Sequence, residues 1–134
     1  MTISTFILAI ALVESGNDPK AVGKHGELSE YQITRQVWNA YTTAPFTEEN
    51  LRNQALSRHV ALKHADHLLQ KAQHTLMWES ERAVVIRCAA GWHRGEAYTR
   101  RPWRSWREET RDYADRVWNV YQDLQRKHTL PPAR

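Results

Sequence analysis

The sequence is poor in the residues that build disulfide-bonded and β-rich proteins. It has one cysteine, Cys88, among 134 residues, which excludes an internal disulfide framework and a zinc site made from several thiolates. Five glycines and five prolines supply too few turns for a β-sandwich or β-barrel, whose short strands need a turn about every 8–12 residues. The sequence therefore predicts a mainly α fold.

Long hydrophobic runs are also absent. The apolar stretch from Phe6 to Val13 is far shorter than the roughly 20 residues that a membrane-spanning helix requires. No basic segment precedes it, and Glu14-Ser15-Gly16-Asn17 follows it in place of a small-residue cleavage site. We therefore predict a core helix here, without a membrane span and without an evident signal peptide.

Composition and charge are those of an ordinary soluble domain. Hydrophobic residues make up 41% of the chain and charged residues 25%, which excludes a wholly disordered or collagen-like chain. At 134 residues, one domain covering 1–134 is expected. The net charge of +4 favours anionic partners, and nucleic acid, acidic lipid and bacterial wall polymer all meet that condition.

Apolar periodicity and capping residues predict a series of helices along the chain. The first runs from Ser4 to Val13 and is capped by Ser4 or Thr5, and the second is short, capped by Thr34 and broken by Pro45. A long helix follows from Thr47 to Ala72, and another runs from Trp78 or Glu79 to Ala90. The terminal helix carries Tyr113 to Leu124 and ends before Pro131. Residues 16–26 are predicted as an irregular loop or hairpin, and residues 91–107 as mainly loop.

Glu14 stands apart from the other acidic residues. The ten residues before it contain no other ionisable side chain, so its carboxyl is expected at the rim of the core, at the end of the first predicted helix. Burial there raises the pKa of a carboxyl and keeps a proton available near neutral pH, as a general acid requires. The alternative is a helix-end residue that turns outward to water.

Several segments of the chain follow the motif order of a known family. The run Glu14-Ser15-Gly16-Asn17-Asp18-Pro19-Lys20-Ala21-Val22 continues to Gly26-Glu27-Leu28-Ser29-Glu30-Tyr31-Gln32-Ile33. It closely resembles the opening of the lytic transglycosylase family, in which Glu-Ser precedes an Asn-Pro-x-Ala-Val-like turn and Gly-x-x-Gly-Leu-Met-Gln-Ile. Glu109-Thr110-Arg111-Asp112-Tyr113 followed by Val117 resembles the late Glu-Thr-Arg-x-Tyr-Val motif of that family, and Ala89-Ala90-Gly91 stands where the family has Tyr-Asn-Ala-Gly.

The resemblance implies a lysozyme-like fold of the goose type, with a small irregular or β-like lobe near residues 16 to 33 bordering the substrate cleft. It implies an enzyme that cleaves the β-1,4 bond between N-acetylmuramic acid and N-acetylglucosamine in peptidoglycan glycan strands, with Glu14 as general acid and base. Groups of the substrate complete the reaction and give a 1,6-anhydro product, so no second acid is obligatory. No cofactor and no metal are expected. We expect a monomer that acts in the periplasm or cell wall.

The same resemblance points to a set of substrate-binding residues: Ser15, Gly26, Ser29, Gln32, Gly91 and Tyr113. Tyr113 is expected to reach Glu14 with its hydroxyl and orient it, or else to be a core aromatic with a satisfied hydroxyl. Gln32 either contacts substrate or only ties the loop to backbone. Ser15 is expected to stabilise the loop more than to act on substrate, because no activating histidine and acid adjoin it in sequence.

Glu27 and Glu30 flank the same loop and are the candidates for a second carboxylate. If either holds a water against the sugar, the product is hydrolytic and the enzyme is a muramidase, whereas the alternative is that both are merely solvated. The chain departs from the family at Gly23, where many members have Ser, at Ser29, which replaces Gly, and at Cys88-Ala89, which replaces Tyr-Asn. The last change motivates a further hypothesis, an inactive glycan-binding relative.

Histidines and the cysteine give weaker signals. Four histidines fall in or beside the predicted long helix: His59, His64, His67 and His74. His64 and His67 have the i,i+3 spacing of a metal chelate, but no His-Glu-x-x-His pattern supports one, so we predict adventitious surface histidines. Cys88 lies in an apolar stretch and is predicted to be a small buried hydrophobe rather than a nucleophile.

The segment from Trp92 to Arg111 interleaves tryptophans with arginines: Trp92, Trp103, Trp106, Arg94, Arg100, Arg101, Arg104, Arg107 and Arg111. It can extend a glycan groove, bind nucleic acid through phosphates and bases, or pack the last helix with its tryptophans while the arginines point outward. A basic helical nucleic-acid-binding module is therefore the rival hypothesis. It depends on the arginines and on low salt rather than on Glu14.

Overall fold

The structure is a computed structural model that describes residues 1–75 and 80–129, apart from the side chains of residues 74, 75 and 129. In these ranges it contains six α-helices: α1 (Ile3–Ser15), α2 (Arg35–Tyr41), α3 (Glu48–Arg52), α4 (Gln54–Thr75), α5 (Glu81–Arg94) and α6 (Glu108–Thr129). Two short 3₁₀ turns, Glu96–Thr99 and Trp103–Ser105, link α5 to α6. The predicted mainly α fold is confirmed.

α1 is the buried centre of the fold and packs against α4 and α6. Its core-facing side chains are at most 1% exposed: Phe6, Ile7, Ala9, Ile10 and Ala11. The predicted caps Ser4 and Thr5 are wrong, because the helix begins at Ile3. The Thr2 N–H donates to the Tyr121 hydroxyl of α6 at 3.0 Å, and this tertiary contact places the start of the helix earlier than local sequence suggests.

The threonines that precede α2 and α3 act as N-caps. Thr34 Oγ1 accepts from the Val37 N–H at 3.2 Å, which confirms the predicted cap of α2. Thr47 Oγ1 accepts from the Asn50 N–H at 3.2 Å in the same way. α2 ends at Tyr41, before Pro45 is reached.

The predicted long helix from Thr47 to Ala72 is wrong in one respect, because it is divided at Asn53. The backbone of Asn53 is extended (φ −69°, ψ 101°), and its Oδ1 accepts from the Leu56 N–H at 3.2 Å to cap α4. Apolar residues recur on both sides of the break, so periodicity does not reveal it. The asparagine amide competes for backbone N–H groups and so ends one helix and starts the next.

α5 and α6 pack against each other. Ser80 Oγ accepts from the Ala83 N–H at 3.2 Å at the start of α5, and the predicted starts at Trp78 and Glu79 lie outside the described residues. The predicted apolar face of α6 is confirmed by its buried side chains: Tyr113, Ala114, Val117 and Tyr121. The predicted end before Pro131 also lies outside the described ranges.

Residues 91–94 continue α5, so the loop predicted from Gly91 onward is wrong there. A Cβ at Gly91 would lie 2.7 Å from Thr99 Cγ2 and 3.0 Å from Leu68 Cδ2. The glycine therefore allows α5 to pack closely against α4 and does not mark a helix end. The helix ends at Gly95, which has a φ of 111°.

Residues 16–34 form the predicted small irregular lobe. Its only regular pairing consists of two isolated antiparallel bridges, Val22 with Leu28 and Leu28 with Ile33. Left-handed backbone recurs along the segment and turns it back on itself, at Gly16, Asn17, Gly26, Ser29 and Gln32. The helices described for this chain include none that is long and apolar enough to cross a membrane.

Candidate active site

Glu14 lies in the last turn of α1, on the wall of a cleft of about 600 Å³. The cleft is bounded by the end of α1, by the loop 23–34, by the last turn of α5 and by Glu109 at the start of α6. α1 stops here because Gly16 adopts a left-handed φ of 66°, which glycine does without strain. The Glu14 side chain is half-buried, so it is not the outward-turned residue of the alternative interpretation.

Tyr113 holds the Glu14 carboxyl from the opposite helix. Its side chain is 4% exposed, and its hydroxyl donates to Glu14 Oε1 at 2.7 Å. Burial raises the pKa of Tyr113 well above its ordinary value, so the hydroxyl keeps its proton and remains a donor. Tyr113 is thus a core aromatic residue, and its hydroxyl also holds Glu14. The two roles given as alternatives from the sequence therefore both apply.

The pKa of Glu14 is raised, chiefly because burial disfavours the charged carboxylate. The negative charge of Glu27 raises this pKa further, while the hydrogen bond from Tyr113 and the positive charge of Arg116 lower it. A carboxyl that keeps its proton to higher pH than usual, faces a cleft and is fixed by one donor is equipped for general acid catalysis.

The residues before Tyr113 join α6 to the end of α5. Arg94 Nη2 pairs with Glu109 Oε1, and Arg94 Nε donates to Thr110 Oγ1 at 3.2 Å. Thr110 Oγ1 in turn lies 3.4 Å from His93 Nδ1, and the His93 ring stacks on Tyr113 with a centroid separation of 4.5 Å. Each of these side chains therefore fixes the next one in the series. The last of them, His93, contacts the tyrosine that holds Glu14.

Ser15 and Gln32 tie the irregular lobe together. Ser15 Oγ lies 2.8 Å from the carbonyl oxygen of Glu30 and accepts from the Asp18 N–H at 3.0 Å. Gln32 Nε2 donates to the carbonyl oxygens of Ser29, at 2.8 Å, and Ala21, at 3.2 Å. Ser15 thus has the loop-stabilising contacts expected of it, and Gln32 ties the loop while also lining the cleft.

The polar ends of Glu27 and Gln32 meet over Gly23. A Cβ at this position would overlap Oε2 of Glu27 and Oε1 of Gln32, so the glycine gives these two side chains the space they occupy. Glu27 Oε2 also accepts from the His25 N–H at 3.2 Å. Glycine at position 23 therefore leaves the space that these two side chains occupy on this wall of the cleft.

The two candidate second carboxylates have different surroundings. Glu27 lines the cleft with Glu14. Glu30 does not line it, and at 5% exposure it is not solvated either. Its Oε2 has no hydrogen-bond partner among the described residues, and burial raises the pKa of its carboxyl. Of the two, the structure brings only Glu27 to the acid.

The remaining predicted substrate-binding residues are Gly26, Ser29 and Gly91. Gly26 has a φ of 81° and is exposed at the turn of the lobe. Ser29 has a φ of 72°, a conformation that suits the glycine of the family motif, and its side chain is 2% exposed and accepts from the Tyr31 N–H. Gly91 is buried in α5 and borders a second lobe of the cleft.

This second lobe has a volume of about 620 Å³ and lies between α2, α4 and the end of α5. It shares four lining residues with the first lobe: Thr34, Trp92, His93 and Arg94. Its wall contains His64, whose ring lies 4.9 Å from that of Trp92 and whose Nδ1 lies 3.2 Å from the Tyr41 hydroxyl. The sequence does not signal this lobe, because its residues come from three separate helices.

The prediction of surface histidines is wrong for His64. Burial lowers the pKa of His64 to about 4, so the ring is neutral at neutral pH. His67 Nε2 lies 2.7 Å from Glu96 Oε2, whereas His59 is exposed as predicted and the His74 side chain lies outside the described residues. Within residues 1–75 and 80–129, no three ligating side chains come together as a metal site would require.

The tryptophans between residues 92 and 111 pack within the protein. Trp106 is 3% exposed, lies 4.9 Å from Trp103 between ring centroids, and donates from Nε1 to the Arg101 carbonyl oxygen at 3.1 Å. Trp92 Nε1 donates to the Tyr31 carbonyl oxygen at 3.3 Å. The guanidinium of Arg111 lies 5.9 Å from the Trp103 ring. The packing alternative describes Trp103 and Trp106, whereas Trp92 and Arg94 also line both lobes of the cleft.

Cys88 and Ala89 are fully buried, so neither side chain reaches the cleft. Burial raises the pKa of the Cys88 thiol to about 12, which keeps it protonated. The predicted burial of this cysteine is therefore confirmed.

No protein-family model, curated protein or solved structure matches this chain. The motifs quoted above and the geometry around Glu14 are the features that point to a function. That geometry also includes His93, which sequence reasoning missed because residues 91–107 were predicted as mainly loop. An unbroken helix from Glu81 through Gly91 would have placed His93 in its last turn.

Proposed function

We propose that this protein is a lysozyme-like enzyme that cleaves peptidoglycan glycan strands as a lytic transglycosylase. The observation that carries the proposal is the Glu14 carboxyl, which faces the cleft, has a raised pKa and is held by the Tyr113 hydroxyl at 2.7 Å. The motif resemblance supports the same residue as the acid. The left-handed backbone at Ser29 adds support, because the family motif has glycine at that position.

In the proposed reaction, protonated Glu14 donates its proton to the glycosidic oxygen as the bond to the sugar breaks and positive charge develops on the ring. The Tyr113 hydroxyl then stabilises the carboxylate that remains. The 6-hydroxyl of the muramic acid attacks the anomeric carbon and gives its proton to Glu14. The product is a 1,6-anhydro ring, and Glu14 is again protonated for the next cycle.

The shape of the cleft is compatible with a polymeric substrate. Lobes of about 600 and 620 Å³ meet at Trp92 and His93, so a saccharide held against Glu14 has room to continue into the second lobe. Aromatic and polar side chains both line these lobes, a combination that suits sugars, which present both apolar faces and hydroxyl edges.

A hydrolytic muramidase is the second candidate, and one observation favours it. Glu27 lines the same cleft and is close enough for its charge to raise the pKa of Glu14. If Glu27 activates a water against the opposite face of the sugar, the products have reducing ends instead of anhydro rings.

The nucleic-acid alternative draws less support from the molecule. Trp106 is buried and Trp103 packs against it, so the rings are not open platforms for base stacking. The exposed arginines remain as the basis of that alternative: Arg100, Arg101, Arg104 and Arg107.

The proposal is tested by mass spectrometry of fragments released from purified peptidoglycan. We expect muropeptides whose muramic acid ends are lighter by one water than hydrolytic ends. Predominantly reducing ends would select the muramidase. No release by the folded protein, together with salt-sensitive binding of DNA that is lost when the four arginines are replaced, would select the nucleic-acid module.

A further inference from the structure

His93 is a cleft residue that lies in direct contact with the acid-holding tyrosine. It belongs to the last turn of α5 and borders both lobes of the cleft. Its ring stacks on Tyr113 with centroids 4.5 Å apart and an angle of 16° between planes. A saccharide atom that touches this ring is therefore close to Glu14.

The contacts of Thr110 determine which nitrogen of His93 carries the proton. Thr110 is fully buried, and its Oγ1 accepts from Arg94 Nε at 3.2 Å. In the part of the chain that the structure describes, the one acceptor left for its hydroxyl proton is His93 Nδ1, at 3.4 Å. A proton on Nδ1 would leave a buried hydroxyl without an acceptor, which is costly, so the neutral ring carries its proton on Nε2.

The surroundings also keep the ring neutral. Burial lowers the pKa of His93, the positive charges of Arg94 and Arg116 lower it further, and the negative charge of Glu109 acts in the opposite direction. Tyr113, whose ring stacks on the imidazole from α6, keeps its hydroxyl proton. The Nε2–H is thus a neutral donor, and it has no hydrogen-bond partner within residues 1–75 and 80–129.

We propose that His93 is a specificity-determining residue, whose Nε2–H donates a hydrogen bond to a hydroxyl or amide carbonyl oxygen of the N-acetylated sugar held against Glu14. The inference rests on the proposed function and names the chemistry that this part of the cleft recognises. A neutral donor matches the uncharged oxygens of such sugars, whereas the carboxylates of peptide stems would call for a cation.

The first test needs no enzymatic activity. Long-range ¹H–¹⁵N spectra of the imidazole report the tautomer directly, and we expect a protonated Nε2 and an unprotonated Nδ1 at neutral pH. Addition of the β-1,4-linked tetramer of N-acetylglucosamine to the Glu14→Gln variant is expected to shift the Nε2 signal. A ring protonated on Nδ1, or an Nε2 signal that does not respond to a saturating tetramer, would overturn the inference.

The second test separates recognition from structure. His93→Phe keeps an aromatic face on Tyr113 and removes the donor, so we expect the tetramer to bind about fivefold more weakly and KM for solubilised peptidoglycan to rise about fivefold. His93→Gln restores an N–H donor and is expected to recover part of the loss. His59→Phe, at an exposed position on α4, is the matched control.

The outcomes distinguish this inference from the proposed function. Cleavage by the wild type with the same KM in folded His93→Phe would contradict the inference alone. If the wild type releases no fragments but the tetramer still shifts Nε2 and binds more weakly to His93→Phe, the inference stands and the proposed cleavage is wrong.

Discussion

Glu14 lies at the end of α1 and Glu30 lies within the irregular lobe, and burial raises the pKa of both carboxyls. Glu14 opens onto the cleft and receives the Tyr113 hydroxyl at 2.7 Å. Glu30 is 5% exposed, does not line the cleft, and has an Oε2 without a partner in the described ranges. A raised pKa therefore does not by itself make a carboxyl a working general acid. The carboxyl must also be accessible to a ligand and be held by a hydrogen-bond donor.

The largest expected effect separates the two carboxyls by activity. Glu14→Gln keeps the shape of the side chain and removes the transferable proton, so we expect the rate of fragment release to fall at least about 100-fold. Circular dichroism is expected to show an unchanged fold. Glu49→Gln, on the exposed face of α3, is the matched control. If Glu14→Gln keeps more than about a tenth of the wild-type rate, Glu14 is not the general acid.

The next effect concerns the donor that Glu14 has and Glu30 lacks. Tyr113→Phe keeps the ring under His93 and removes the hydrogen bond, so we expect the rate to fall about tenfold. That hydrogen bond lowers the pKa of Glu14, and without it the acid keeps its proton to higher pH. The alkaline limb of the pH–rate profile is therefore expected to move to higher pH. A limb that stays in place would mean that the tyrosine does not act on the acid.

A smaller effect is expected at Glu27. Its charge raises the pKa of Glu14, so in Glu27→Gln that pKa falls and the alkaline limb of the pH–rate profile moves to lower pH. At the wild-type optimum we expect a rate change below about threefold and unchanged anhydro products, since general base catalysis would be worth about 100-fold or more. A larger loss accompanied by reducing-end products in the wild type would assign Glu27 as the base of a muramidase.

Glu30 is expected to affect stability alone. Because burial raises its folded-state pKa above the ordinary value of 4.5, the folded protein is penalised when the carboxyl ionises, and the penalty is absent below that value. Glu30→Gln is therefore expected to raise the melting temperature at pH 7, to have little effect at pH 4, and to leave fragment release unchanged. A loss of activity with normal stability would show that Glu30 takes part in the reaction.

Local sequence predicts those parts of the fold that depend on contacts along the chain. The apolar first helix, the Thr34 cap and the irregular lobe are of this kind. The break at Asn53 and the continuation of α5 through Gly91 were missed, because the first depends on a side chain that competes for backbone donors and the second on space beside Leu68. Packing between helices decides the second of these.

In the candidate site, too, some residues can be predicted from the local sequence and others cannot. Glu14 is visible in the sequence as a lone acid after an apolar run, and the motif resemblance adds Tyr113. The burial of Glu30 and His64 and the stacking of His93 on Tyr113 depend on residues from other helices, so no spacing along the chain signals them.

The most direct measurement is the pKa of Glu14 itself, followed by ¹³C NMR of its side-chain carboxyl in the intact protein and compared with the pH–rate profile on peptidoglycan. We expect a pKa above the ordinary 4.5 that coincides with the alkaline limb of the profile and rises in Tyr113→Phe. A Glu14 pKa at or below 4.5, or an alkaline limb that does not follow it from one variant to the next, would contradict Glu14 as the proton donor.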